Sequence, residues 1–285
     1  MTNYYKVAGH IFSVSGEAEV FTLMMNYVPF GCEAGTAVFM LTFTEGKTFS
    51  YTEELRQDDE DQQIICGRTS DGKSVFEFVW LGESAGWLVC EEDCLKGCLI
   101  LTGRHTKMAI DNALMVLFAL STADKATALF HASMVSHDGK GYMFLGKSGT
   151  GKSTHARLWL QNIEGSELVN DDNPVVRIYS ENGAATAVVY GSPWSGKTPC
   201  YRNVSYPLGG IVLLSQAPYN KIHRICGLKA YASLVSSISG KRWDSRIADG
   251  LHHTENELAS TVPIWYLECL PDKEAAALCK TTITL

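Results

Sequence analysis

The chain predicts an α/β protein in two parts: a smaller β-rich domain over residues 1–105, and a domain over residues 106–285 built on a mixed sheet. Three observations carry this. The first hundred residues hold runs of β-branched and aromatic residues that favour strands. A stretch from Thr106 to Leu129 then places apolar residues at helical spacing. Beyond it, strand-like runs come in close pairs on either side of a glycine-rich turn. Strands joined that closely must be antiparallel, because parallel neighbours need a crossover of about a dozen residues.

In the first part, Ala37-Val38-Phe39-Met40-Leu41-Thr42-Phe43 and Val75-Phe76-Glu77-Phe78-Val79-Trp80-Leu81 read as strands, and Asp71-Gly72 reads as a hairpin turn. The acidic cluster Asp58-Asp59-Glu60-Asp61 reads as a solvated loop. Cys90, Cys94 and Cys98 stand four apart, wider than a zinc knuckle, and read as small buried hydrophobes. From Thr106 to Leu129, Met108, Ala109, Ala113, Leu114, Val116, Leu117, Leu120 and Ala128 share a helical period, giving one long or two shorter helices that lead into the second part.

In the second part, Phe130 to Val135 reads as a strand, Ser136 to Lys140 as a turn and Gly141 to Leu145 as its antiparallel partner. Thr154 to Gln161 reads as a helix, and Leu168-Val169-Asn170 as a strand end. Pro174 to Tyr179 and Thr186 to Tyr190 flank Glu181-Asn182-Gly183 as a second hairpin. Gly210 to Leu214 and Lys221 to Ile225 read as strands, Leu228 to Ala259 as helical, and Val262 to Cys269 as a last strand. Asp272 is placed to cap a terminal helix running through Cys279.

The chemistry is concentrated after Leu145. Gly146-Lys147-Ser148-Gly149-Thr150-Gly151-Lys152-Ser153-Thr154 fits G-x-x-x-x-G-K-[ST] between a strand and a helix. The glycines let successive backbone N–H groups turn inward on phosphate oxygens, Lys152 can reach the β and γ phosphates, and the Ser153 hydroxyl can ligate Mg²⁺. The helix that follows adds its positive dipole end to the same site. One helix later, Asp171 and Asp172 stand side by side at a strand end. Adjacent strand residues face opposite ways, so one carboxylate can serve Mg²⁺ while the other faces an acceptor hydroxyl. His131 sits at the start of the strand antiparallel to the loop-bearing one; a structural role and a contact with an aspartate or phosphate are both open. Trp194 and Lys197, in Gly191-Ser192-Pro193-Trp194-Ser195-Gly196-Lys197, are candidates for a substrate pocket. Arg202, Lys221, Arg224, Arg242 and Arg246 are candidate transition-state cations.

With 285 residues, 46% of them hydrophobic and 19% charged, the chain can bury a real core. A net charge of −7 with no basic run argues against a nucleic-acid partner. No apolar run reaches membrane-spanning length, and Met1 to Val14 lacks the charged and apolar regions of a signal peptide. Nine scattered cysteines then read as reduced thiols in a cytoplasmic protein.

The segments Phe130-His131-Ala132-Ser133, Lys140 through Thr154, and Leu168-Val169-Asn170-Asp171-Asp172 together resemble the catalytic domain of HPr kinase/phosphorylase. They are similar above all to the HPr-kinase-related proteins of bacterial peptide-modification operons. The resemblance implies the phosphoenolpyruvate carboxykinase-like nucleotide-binding fold and its mixed sheet. It implies a kinase that moves the γ-phosphoryl group of ATP to a Ser-like hydroxyl on a peptide, protein or small molecule. Asp171 would be the base, with His131 near it; Lys152 would sit on phosphate, and Ser153 with Asp172 around Mg²⁺. It also implies a homo-oligomer, since the family commonly forms one. Gly227 to Arg246 lacks the family's arginine- and glycine-rich signature of the bifunctional enzyme, so HPr itself is not the implied acceptor. A nucleotide-gated module without turnover and a carboxykinase-like enzyme remain the alternatives.

Overall fold

Strands dominate both halves of the chain, and short turns with left-handed residues close several of them. Positive φ at both central positions, the type I′ signature, occurs at Ala8-Gly9, Leu81-Gly82 and Asp138-Gly139. The structure, a computed structural model, describes residues 1–59, 61–181, 183–196 and 198–284. Glu60 and Asn182, which the sequence assigns to a loop and a turn, lie outside the described residues.

The described residues form two compact units, Met1–Thr122 and Ala123–Leu285. The first holds β1 (Thr2–Val7), β2 (His10–Ser15), α1 (Ala18–Thr22), β3 (Gly31–Cys32), β4 (Met40–Glu45), β5 (Thr52–Asp59), β6 (Gln62–Arg68), β7 (Ser74–Trp80), β8 (Glu83–Cys90), β9 (Lys96–Leu101) and α2 (Thr106–Thr122). Its strands form one mixed sheet in the order β3-β1-β2-β4-β9-β8-β7-β6-β5. The sequence places the domain boundary before residue 106, but α2 packs on β7, β8 and β9 and belongs to the first unit. The reason is its apolar face: Ile110, Ala113, Leu114, Leu117 and Phe118 are buried, with Phe118 edge-on to Phe12. Asp58 and Asp59 also differ from expectation, lying in β5 because its hairpin with β6 keeps register through Asp59 and Gln62.

The second unit holds β10 (Thr127–Leu129), β11 (Ser133–His137), β12 (Lys140–Leu145), α3 (Lys152–Asn162), β13 (Glu167–Asn170), β14 (Val175–Glu181), β15 (Ala184–Tyr190), β16 (Ser205–Gln216), β17 (Lys221–Ile225), α4 (Gly227–Val235), α5 (Ser245–Thr261), β18 (Ile264–Cys269) and α6 (Lys273–Ile283). The sheet is mixed. Its main path runs β10-β14-β15-β16-β12-β11-β13, with β18 on β16 and β17 on β18. Both expected hairpins, β11–β12 and β14–β15, are antiparallel. Residues 127–129, read from sequence as helical, are instead a buried strand on β14. Asp272 caps α6 as expected, accepting the Ala275 N–H at 2.8 Å.

Strands β12, β13, β16 and β18 of this sheet share a direction. β16 is parallel to β12, and β18 to β16. β13 is antiparallel to β11, which is antiparallel to β12, so β13 also runs with β12. Their carboxyl ends therefore open on one edge, where ligands bind in open α/β sheets. α3 and α6 cover one face around Trp159, Phe144, Tyr142, Leu214, Leu267 and Cys279, all buried.

His155 lies in this core, its ring edge-on to Phe144 and its Nε2 accepting the Trp159 indole N–H at 3.2 Å. Burial pushes its pKa down to about 4. The unfolded chain takes up this proton below about pH 6.5, whereas the folded chain resists it until about pH 4, so stability is lost as pH falls through that window. The full loss is about 3 kcal/mol. Urea unfolding of wild type and His155→Gln at pH 7 and pH 4.5 should show a smaller acid loss in the variant. Parallel losses in both would place the acid sensitivity elsewhere.

Candidate functional site

The glycine-rich loop leaves β12 and enters α3, and its shape follows from its glycines. Gly146, Gly149 and Gly151 have φ of 152°, 77° and 101°, a region that side chains rarely adopt. A Cβ on Gly146 would meet Thr150 Oγ1 at 2.5 Å. Inside the loop, Thr150 Oγ1 donates to Lys147 O at 2.7 Å, and Gln216 Nε2 from the end of β16 donates to Gly149 O at 3.1 Å. Lys152 Nζ donates to Gly146 O at 3.0 Å and Lys147 O at 3.4 Å, so its ammonium lies across the loop. Gly151 is the N-cap of α3 and supplies no capping side chain. The first-turn N–H groups, with the dipole behind them, thus suit an anion. Lys147, Ser148, Gly149 and Ser153 are exposed, and Thr154 is half-buried.

The second cluster forms at the end of β13, set by Asn170, which the sequence reading did not single out. Its Oδ1 accepts the N–H groups of Asp172 at 2.9 Å and Asn173 at 2.7 Å. Its Nδ2 donates to Ser192 Oγ at 3.1 Å and Trp194 O at 3.0 Å, tying the 191–196 loop to the aspartate turn. Ser192 Oγ in turn donates to Asn173 O at 2.6 Å. An Asn whose side chain holds the backbone two residues on is a turn signal, but its second set of partners is visible only in three dimensions.

The turn separates the two carboxylates. Asp171, 8% exposed, points back to β11 and accepts the Ser133 hydroxyl on Oδ1 at 2.7 Å. Asp172 faces His131, with Oδ1 at 3.2 Å from Nδ1, and its Oδ2 accepts from Asn173 Nδ2 at 2.7 Å. The histidine therefore sits on the second aspartate, whereas the resemblance implied proximity to the first. That pair is partly exposed, so it orients Asp172 more than it stabilises the fold. The register also settles which end His131 occupies. Ser133 pairs with Phe144, so the residues before it lie at the loop end of β12.

Loop and aspartates thus end β12 and β13, two strand spacings or roughly 10 Å apart, a span within reach of a triphosphate tail. Gly196 fits closely here, its missing Cβ lying 3.2 Å from Asp172 Cγ. Trp194 is 4% exposed and faces the interior, so it offers no open pocket wall. Lys197 lies outside the described residues. Among the candidate cations, Arg202 pairs with Glu167 at 2.7 Å, Arg242 with the buried Glu255 at 2.6 Å and Arg246 with Asp124 at 3.0 Å. Lys221 and Arg224 lie on β17 and are exposed.

No protein-family model matches the chain, and no curated protein matches it. Among solved structures, the Hpr(Ser) kinase/phosphatase from Coxiella burnetii matches at 14% identity with a TM-score of 0.29, covering 54% of this chain and 91% of that one. No helix among the described residues is long and apolar enough to cross a membrane.

Proposed function

We propose that this chain is an ATP-dependent kinase that transfers the γ-phosphoryl group to a hydroxyl on a peptide, protein or small molecule. The observation that carries the reading is the pairing of the glycine loop and its lysine with a buried, hydrogen-bonded aspartate at the same edge of the sheet. Backbone N–H groups of the loop and Lys152 hold the phosphates. Asp171, one oxygen fixed by Ser133, keeps its other oxygen for the acceptor hydroxyl. As the acceptor oxygen bonds to the γ phosphorus, the bond to the β–γ bridging oxygen breaks, ADP leaves, and the hydroxyl proton passes to Asp171.

Ser153 and Asp172 would hold Mg²⁺. Among the described residues no three His, Cys, Asp or Glu side chains form a metal cage. Mg²⁺ bound beside nucleotide phosphates needs only one or two protein oxygens, and a hydroxyl with a partly exposed carboxylate fits that need. An ion held there would supply positive charge against the nucleotide phosphates.

Replacing Lys152 tests the nucleotide site. Lys152→Ala should weaken ATP binding by at least about tenfold in a calorimetric titration and remove transfer from γ-labelled ATP with it. Unchanged ATP affinity would take the phosphates out of this loop.

A further inference from the structure

Beside the loop, a cleft of about 540 Å³ opens at the carboxyl ends of β16 and β18. Leu158 of α3, Leu214, Ala217, Leu270 and Pro271 give it apolar walls, and Gly149, Thr150 and Gly151 form its border with the phosphate loop. Among the described residues no carboxylate, ammonium or guanidinium lines it, and His155 commits Nε2 as an acceptor to Trp159. Gln216 is its amide; that side chain already donates to Gly149 O, so it joins the cleft to the loop.

These features select among ligands. A phosphorylated or carboxylated acceptor would meet no cation among the described lining residues. A neutral, flat heterocycle finds apolar walls and one amide, in a volume typical of small-molecule sites. The loop's position dictates what lies next door, because a nucleotide held by its phosphates must place its nucleoside within a few bonds of them. The cleft also lies where open α/β sheets bind ligands, outside the carboxyl ends of parallel strands.

We infer that this cleft is the seat of the purine nucleoside half of the nucleotide, between α3 and the ends of β16 and β18. The inference rests on the kinase reading above for its phosphate site. The acceptor must then approach from the other side of the loop, where β13 carries Asp171.

The test compares ATP with inorganic tripolyphosphate, which offers the same phosphates without a nucleoside, on the full chain. ATP should bind wild type at least about tenfold more tightly than tripolyphosphate, and Ala217→Trp, which fills the cleft, should bring the two together. Alkylation gives a second readout that needs no variant. Cys269 lines the cleft, whereas Cys226 is exposed and is not among its lining residues. ATP should slow modification of Cys269, read by peptide mass, while tripolyphosphate leaves it unchanged and Cys226 reacts equally in both. Equal affinities for the two ligands in wild type, or no protection of Cys269 by bound ATP, would overturn the nucleoside seat and leave the phosphate loop standing. Failure of both ligands to bind would remove the phosphate site and the nucleoside seat together.

Discussion

Asp171→Asn should reduce phosphoryl transfer by about 10²–10⁴-fold while leaving ATP affinity within about twofold of wild type. The substitution keeps the size of the side chain, and an amide oxygen can still accept the Ser133 hydroxyl that Asp171 accepts at 2.7 Å. The fold of the turn also survives, because it depends on Asn170 and not on the Asp171 carboxylate. What is lost is an oxygen able to take a proton. The phosphate loop belongs to β12 and α3, so its hold on the nucleotide should not register the change. Parallel single-turnover transfer and calorimetric titration read the two effects separately. An equal fall in binding and transfer would move Asp171 from proton acceptor to structural support.

The largest expected loss of stability is at Asn170. Its side chain is fully buried, accepts two backbone N–H bonds and donates to Ser192 Oγ at 3.1 Å and Trp194 O at 3.0 Å. Asn170→Leu is close in volume but would leave the Asp172 and Asn173 N–H groups without this partner, and the 191–196 loop would keep the Ser192 hydroxyl bond to Asn173 O as its side-chain tie to the turn. Unmet buried polar groups cost about 1–3 kcal/mol each, so about 3–5 kcal/mol of stability should disappear in urea unfolding. Transfer should fall as well in whatever fraction still folds, since the turn no longer sends Asp171 to Ser133 and Asp172 to His131. A loss below about 1 kcal/mol would mean that these contacts are replaced in the variant.

Local chemistry made much of the second unit legible. The short Asp138-Gly139 connection forced β11 and β12 to be antiparallel, and the structure has them so. The glycine pattern named the loop because only residues free to adopt positive φ can shape it. Other features depended on distant partners. Thr127–Leu129 continues the apolar character of the preceding helix, and only Ala126 at φ 50° and pairing with β14 make it a strand. The face of α2 is apolar whichever sheet it covers, so its assignment to the first unit could not come from periodicity. The end of the sheet reached by His131 required the register of β11 on β12. Trp194 read as a pocket wall because aromatics in turns commonly face ligands, yet its burial and the Asn170 bond to its carbonyl place it in the support of the turn.

Transfer of label from γ-labelled ATP tests the kinase reading most directly. Wild-type protein, ATP and Mg²⁺ would be incubated with undesalted and desalted cell extract, and the acid-stable label separated by size. An acid-stable phosphoester on a species other than ATP and inorganic phosphate is the expected result. Its loss on desalting would mark a small molecule, and its persistence a macromolecule. Label that stays in ATP, or that appears only as inorganic phosphate, would contradict the assignment of this chain as a kinase.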